Sequence, residues 1–244
     1  TRHDFEQIKV IGRGAFSRVI LVRKKDTGRL YAMKIMRKDK LSREQKIKPI
    51  INERKIMEKL NHPFIIKLYW SFQSKTELFF VMIYAQAEDV LSSGQSLEIS
   101  EDQAKFYFAE LLLGLQHLHD MDIVYRDIKP ENILIDIDGH LKIADFGLSK
   151  IIPQGRDLIH SADHQSTCAP KFLWDKDMIE GLYLRIGALL YELVVGFPPH
   201  FNQDHNEIYK GIVNNQPEFA EHNLSGVLEN LLRKLIEKEP ANRF

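Results

Sequence analysis

A chain of 244 residues with 44% hydrophobic content can bury a sizeable core, as one large domain or two lobes. Lys plus Arg and Asp plus Glu both number 34, so no overall electrostatic pull toward nucleic acid or an anionic membrane is indicated, and partners must be argued from local sites. The single cysteine, Cys168, excludes an intramolecular disulfide framework and suits a cytoplasmic or nuclear setting; with no signal peptide, spanning apolar run or lipidation motif, no membrane segment is expected in this chain.

The first 84 residues read as mostly β. Phe5–Ile11, Arg18–Arg23 and Leu30–Met36 are short β-rich runs separated by Gly12-Arg13-Gly14-Ala15 and Asp26-Thr27-Gly28, both turn signals, which predicts an antiparallel meander. Alternation puts Ala32, Lys34 and Met36 on one face and Tyr31, Met33 and Ile35 on the other, so Lys34 has apolar neighbours and needs an anion. Ser42 with Gln45 forms a capping-box pattern, and Pro49 suits a first helical turn, predicting a helix to about Leu60. Ile50, Glu53 and Met57 fall there at i, i+3 and i+7, which places Glu53 on the apolar stripe as the anion. Phe64–Gln73 and Glu77–Tyr84 complete the sheet. Ser100–Asp120 is the clearest helix, opened by Ser100 with Gln103 and continued by Phe106, Ala109, Leu113, Gln116 and Leu118. His117 and His119 on its last turn point apart and read as helix-end histidines favoured by the dipole.

The stretch from Ile123 to Gly147, IVYRDIKPENILIDIDGHLKIADFG, organises the rest. Asp127, Lys129 and Asn132 occupy one polar loop and Asp145 a second. Ile133–Ile137 and Leu141–Ile143 flank the hairpin signal Asp138-Gly139, which brings both loops to one end of a ribbon. Asn132 and Asp145 then converge as hard oxygen ligands of the kind Mg²⁺ takes together with substrate phosphates. Asp127 stands beside them as an acceptor for a hydroxyl proton.

YRDIKPEN followed by DFG closely resembles the catalytic and metal-binding loops of eukaryotic protein kinases, and Tyr125, where most kinases have His, resembles the AGC group. The resemblance covers nearly the whole chain. It implies an α+β, two-lobed protein-kinase fold over 1–244, with an antiparallel β N-lobe bearing one main helix at 1–84. A mainly helical C-lobe follows at 85–244, its C-terminal end reading as truncated. ATP and Mg²⁺ are the implied cofactors. GRGAFSRV resembles the glycine-rich loop that covers nucleotide phosphates, with Ile11, Gly12 and Gly14 at the nucleotide and Ser17 in the third glycine position. YAMK resembles the strand carrying the phosphate-binding lysine, and the 19-residue separation of Lys34 and Glu53 matches the kinase Lys–Glu pair. By the same resemblance Met82-Ile83-Tyr84-Ala85 is the hinge whose backbone meets adenine, with Met82 behind the purine. Val19 and Ala32 face the base from above and Leu134 from below, and Glu88 or Asp89 carries the ribose contact. Asp127 positions the hydroxyl, Lys129 balances charge on the transferred group, and Asn132 and Asp145 hold the metal.

Other segments depart from the family. Ser166-Thr167-Cys168-Ala169-Pro170-Lys171-Phe172-Leu173-Trp174-Asp175-Lys176 stands where AGC kinases run from the phosphosite to Ala-Pro-Glu. The Thr that touches the catalytic Asp and Lys is missing, and Lys176 replaces a Glu that pairs with a late Arg, here Arg243, unless Asp175 substitutes. The helix Gly181–Val195 carries Leu182 where kinases have an Asp that holds the catalytic-loop backbone. The reading is an ATP-dependent serine/threonine protein kinase; the alternative is a nucleotide-binding pseudokinase or scaffold with little catalysis. A small-molecule kinase is disfavoured by the glycine-rich loop and YRDIKPEN occurring together. The implied partners are a protein substrate with Arg or Lys before the target Ser/Thr, read by Glu131 and Glu192, and an upstream kinase acting at Ser166, whose phosphate would pair with Arg126.

Overall fold

The computed structural model describes residues 1–43, 45–85, 99–151, 178–202, 204–215, 217, 219, 224–239 and 242. The predicted ribose contact and the substituted segment from Ser166 to Lys176, with Arg243, lie outside these residues. The chain divides into two compact units, Thr1–Glu88 with Glu110–Asp127 and Asn132–Ile151, and Asp89–Ala109 with Ile128–Glu131 and Ile152–Phe244.

The first unit is built on a five-stranded sheet of β1 (Phe5–Arg13), β2 (Ser17–Lys24), β3 (Leu30–Arg37), β4 (Leu68–Gln73) and β5 (Glu77–Ile83), in the order β1-β2-β3-β5-β4. Every neighbouring pair is antiparallel. The meander is the predicted one, and the register turns alternation into two chemically distinct faces. Val19 lies opposite Lys34, Ala32 opposite Met82 and Lys34 opposite Phe80, so these side chains share one face. The other face is the core, where Phe5, Ile20, Val22, Tyr31, Met33, Ile35, Phe79 and Val81 pack together. Phe72 stacks on Phe79 with ring centroids 4.9 Å apart.

Two helices follow β3, α1 (Lys38–Arg43) and α2 (Ile47–Lys59). Ser42 lies inside α1, so it is not the expected cap of the longer helix. The chain turns at Gln45, a left-handed residue with φ 53°, and α2 starts after Lys46 with no side-chain cap. Pro49 sits in its first turn, and the helix ends at Leu60 as expected. Glu53, Ile56 and Met57 are its buried residues.

Helix α3 (Glu101–Asp120) opens with the predicted capping box: Ser100 Oγ accepts from Gln103 N–H at 3.3 Å, while Gln103 Oε1 accepts from Ser100 N–H at 3.4 Å. Its buried face differs from the expected stripe. Ala104, Leu111, Leu115 and Leu118 are buried, while Phe106 and Leu113 are exposed. Apolar residues surround the helix at Leu111-Leu112-Leu113, so periodicity leaves the face open. Glu110 on the buried side settles it, accepting from Leu141 N–H at 2.7 Å and joining His140 Nδ1 at 2.6 Å.

After α3 come β6 (Ile123–Val124), β7 (Ile133–Ile135), β8 (Leu141–Ile143) and β9 (Lys150–Ile151), with β6 paired to β9 and β7 to β8. The β7–β8 hairpin is the predicted one, but β7 stops two residues early. Asp136 Oδ1 accepts from the N–H groups of Asp138 and His140 at 3.0 and 2.9 Å, drawing the turn back to itself, and Ile137 is left 79% exposed. Gly139 takes the left-handed turn position with φ 84°.

The second unit is helical: α4 (Met178–Val195), α5 (His205–Asn214) and α6 (Gly226–Leu235), with the first half of α3. Leu182, Ile186, Leu189, Leu190, Leu193 and Val194 are buried along α4 at helical spacing. Leu190, Tyr191 and Val194 form a core with Ala104, Phe219, Leu228, Leu232 and Leu235. Ser225 caps α6, its Oγ accepting from Leu228 N–H at 3.2 Å.

Candidate active site

The alternation of β3 and the period of α2 bring two charges together inside the first unit. Lys34 Nζ donates to Glu53 Oε1 at 2.7 Å and lies 3.5 Å from Asp145 Oδ1. Glu53 is 1% exposed, and its Oε2 has no hydrogen-bond partner among the described residues. Burial pushes the Glu53 carboxyl above its ordinary range, with Lys34 pulling the other way. Burial alone would lower the Lys34 ammonium, but the carboxylates of Glu53 and Asp145 outweigh it and hold the group above its usual value. The site therefore keeps a fixed cation, with Asp145 half-exposed at 52% beside it.

The two polar loops meet as the hairpin requires. Ile133 pairs with Ile143, and Ala144 N–H donates to the Asn132 carbonyl at 2.8 Å, so Asn132 lies across from the residue before Asp145. Asn132 Nδ2 donates to Asp127 Oδ2 at 2.7 Å and to the Asp127 carbonyl at 2.9 Å, and both residues are buried. With Nδ2 turned to Asp127, the amide presents Oδ1 as its oxygen donor. An amide oxygen with a half-exposed carboxylate suits a hard divalent cation such as Mg²⁺.

Backbone conformation is spent at this site. Arg126 and Asp145 are left-handed, with φ 65° and 52°, a conformation that costs a non-glycine residue roughly 1 kcal/mol or more and that concentrates at functional sites. Tyr125 helps to enforce it. Fully buried, its hydroxyl donates to the Ala144 carbonyl and its ring meets Phe146 edge-on at 5.4 Å. Burial raises the phenol well above its usual range, with Asp127 and Asp145 adding to the shift, so it remains a donor. Gly147 N–H donates to Asp145 Oδ1 at 3.2 Å, and a Cβ at Gly147 would stand 3.9 Å from Glu53 Oε2.

The remaining predicted residues fall as follows. Gly12 pairs with Val19 in the β1–β2 register; Gly14 N–H donates to the Ser17 carbonyl at 2.9 Å and closes the turn; Ile11 is exposed on β1. Val19, Ala32 and Met82 share the Lys34 face. Tyr84 is half-buried, Ala85 buried, Leu134 half-buried on β7, and Lys129 half-buried. Leu182 is buried on α4. His117, read as a helix-end residue, stacks on His62 with ring centroids 4.9 Å apart. Two anchors escaped the sequence reading. Asn52 Nδ2 donates to the Ser149 carbonyl at 3.0 Å, and Arg126 Nε donates to the Leu148 carbonyl at 2.8 Å, so the chain after Gly147 is held from both α2 and the loop that carries Asp127. The only signal for Asn52 was its place beside Glu53.

Comparison with known proteins agrees with this arrangement. The protein kinase domain family matches residues 5–244. The RAC-beta serine/threonine-protein kinase of Rattus norvegicus is 38% identical over 100% of this chain and 51% of its own length. The RAC family serine/threonine-protein kinase homolog of Dictyostelium discoideum is 36% identical over 99% of this chain and 55% of its own. For the serine/threonine-protein kinase sgk-1 of Caenorhabditis elegans the figures are 36%, 100% and 53%. The chain thus spans about half the length of the curated relatives it matches. With its lysine–glutamate pair, its Asp127–Asn132 loop and a family match over almost its entire length, the chain belongs to the protein kinase domain family.

Proposed function

We propose that this chain transfers the γ-phosphoryl group of Mg·ATP to a serine or threonine hydroxyl of a protein. The observation that carries the reading is the Lys34–Glu53 pair at 2.7 Å with Asp145 3.5 Å from the same ammonium, beside a buried Asp127–Asn132 pair. Phosphoryl transfer needs little covalent chemistry from a protein and much positioning and charge stabilisation. Lys34, held by Glu53, supplies a fixed cation for phosphate oxygens. Asn132 Oδ1 and the Asp145 carboxylate would hold Mg²⁺, which when bound neutralises charge on the phosphates. Asp127, oriented by the Asn132 amide, accepts the hydrogen bond of the incoming hydroxyl and receives its proton. Lys129 balances charge on the transferred group. Val19, Ala32 and Met82 on the Lys34 face, with Leu134, offer an apolar surface to adenine, and the backbone of Tyr84 and Ala85 its polar edge.

A pair of acids supports a basic substrate class. Burial pushes the Glu192 carboxyl up, and the nearby Glu131 carboxylate raises it further. A guanidinium or ammonium of the substrate would relieve both effects, which supports Arg or Lys before the target residue. Regulation by a second kinase at Ser166 rests on the family pattern and on Arg126 beside Asp127. A cytoplasmic or nuclear setting completes the proposal. The test is a radiolabelled-ATP assay on a basic serine peptide, with Asp145→Ala as control. Incorporation that needs Asp145 supports the reading; none with the unaltered chain, or equal incorporation in both, overturns it.

A further inference from the structure

The first unit carries a recess whose charged strand side chains lie on the sheet face away from Lys34. A cavity of about 770 Å³ lies at the β1–β2 turn, the end of β3, the start of α1 and the turn before β5. Its volume falls within the range of small-molecule pockets. Residues 13–18 of the glycine-rich loop line it, and of the residues proposed to meet nucleotide only Gly14 is among them. Register separates it from the Lys34 site: Arg13 pairs with Arg18, Arg18 with Ile35, and Arg37 with Glu77, all on the face opposite Lys34.

Its lining is strongly basic. Among the described residues, Arg13, Arg18, Arg37, Lys38, Lys40 and Lys75 converge there against only Asp39 and Glu77. Both carboxylates are already engaged: Asp39 takes Arg37 through two bonds of 3.1 and 2.7 Å, and Glu77 takes Arg18 at 3.5 Å and Arg2 at 3.3 Å. Lys38 Nζ is fixed by Gln73 Oε1 and the Ser74 carbonyl, each at 2.7 Å, neither of which cancels its charge. The side chains of Arg13, Lys40 and Lys75 make no ion pair among the described residues. Like charges gathered on a concave surface repel one another and focus a positive potential, and a multivalent anion relieves both. Guanidinium forks beside ammonium point charges match the oxygens of phosphate groups.

We propose that this cavity binds a compact polyanion bearing several phosphate groups, with Arg13, Lys40 and Lys75 as its principal cations. A soluble polyphosphate and a lipid headgroup share that chemistry, and the experiment separates them. Titration calorimetry with sodium tripolyphosphate, without Mg²⁺, compares the unaltered chain with Lys40→Glu/Lys75→Glu and with Lys55→Glu, an exposed cation on α2 outside the cavity. The double charge reversal is expected to weaken binding by at least about tenfold, the loss of one or two charge-assisted contacts, while Lys55→Glu stays within about twofold. If the double variant does not fold, Arg13→Glu on the strand side of the cavity repeats the test. Phosphatidylcholine vesicles containing phosphatidylinositol bisphosphate, whose headgroup carries several phosphates, are sedimented in parallel. Capture lost on charge reversal identifies a lipid headgroup; no capture with tripolyphosphate binding retained identifies a soluble ligand. Affinity unchanged by charge reversal, an equal loss in Lys55→Glu, or vesicle capture without tripolyphosphate binding overturns the proposal.

Discussion

Asn52 on α2 donates to the Ser149 carbonyl at 3.0 Å across 97 residues of sequence, tying the helix that carries Glu53 to the segment that follows Asp145. The bond is partly buried, and a Cβ at Gly147 would stand 3.9 Å from Oε2 of the neighbouring Glu53. Glu53 and Asp145 both address Lys34, so whatever fixes their relative placement fixes the cation. A typical hydrogen bond contributes about 1 kcal/mol, roughly fivefold in a rate when it acts on positioning alone. Asn52→Ala is therefore expected to lower kcat about fivefold with little change in KM for the peptide and a melting temperature close to the parent's. Steady-state kinetics on both substrates checks this; a fall in melting temperature with kcat unchanged would reduce Asn52 to a packing residue.

Lys34→Met separates phosphate positioning from adenine binding. Removing one partner of a buried ion pair costs about 3–5 kcal/mol when the other stays charged. Burial already favours the protonated Glu53 carboxyl, so proton uptake softens that cost. Val19, Ala32 and Met82 share the face but do not depend on the charge. The variant is expected to lose more than about tenfold in ATP affinity while adenosine affinity stays within about twofold. Equal losses would mean that the first unit had unfolded.

Mg·ATP should stabilise the chain, because ligand binding to the folded state adds about 2.7 kcal/mol at a hundredfold excess over Kd. For a chain of this size that is about 5–10 °C in melting temperature. Asp145→Ala is expected to remove most of the shift through loss of one oxygen ligand, and thermal melts with and without Mg·ATP measure it. A shift of equal size in both proteins would place the metal elsewhere.

What could be read from sequence tracks how local each cause is. Period two on β3 and the i, i+3, i+7 stripe on α2 placed Lys34 and Glu53 correctly, because both patterns answer directly to burial. Asn132 and Asp145 were legible because a two-residue turn signal fixes which ends of a hairpin meet. Asn52 was not, since successive helical residues point about 100° apart and its partner lies beyond the hairpin. The buried face of α3 was missed for another reason: three consecutive leucines offer every face equally, and the deciding group is the polar Glu110. The early end of β7 came from a side chain replacing backbone partners, which Asp136 alone in a run of isoleucines does not reveal.

Glu110 also sets a pH dependence. Its Oε1 meets His140 Nδ1 at 2.6 Å, and this hydrogen bond, with the carboxylate charge, raises the His140 pKa. A histidine that binds its proton more tightly when folded contributes stability that is full below the unfolded value of about 6.5 and is lost as pH rises through the folded value. His62 acts in the opposite sense: burial lowers its pKa, with His117 and Lys142 adding to the effect, so its protonation below about pH 6.5 disfavours the fold. The raw pH curve therefore mixes two signs, and the difference between parent and Glu110→Gln isolates one. The amide can still accept from Leu141 N–H, which keeps the hairpin anchored while removing the charge. Urea unfolding at pH 5.5 to 8.5 should show Glu110→Gln losing stability relative to the parent at the acid end, with the gap narrowing as His140 deprotonates. A gap that is constant with pH, or widest at the alkaline end, would show that Glu110 acts through Leu141 alone.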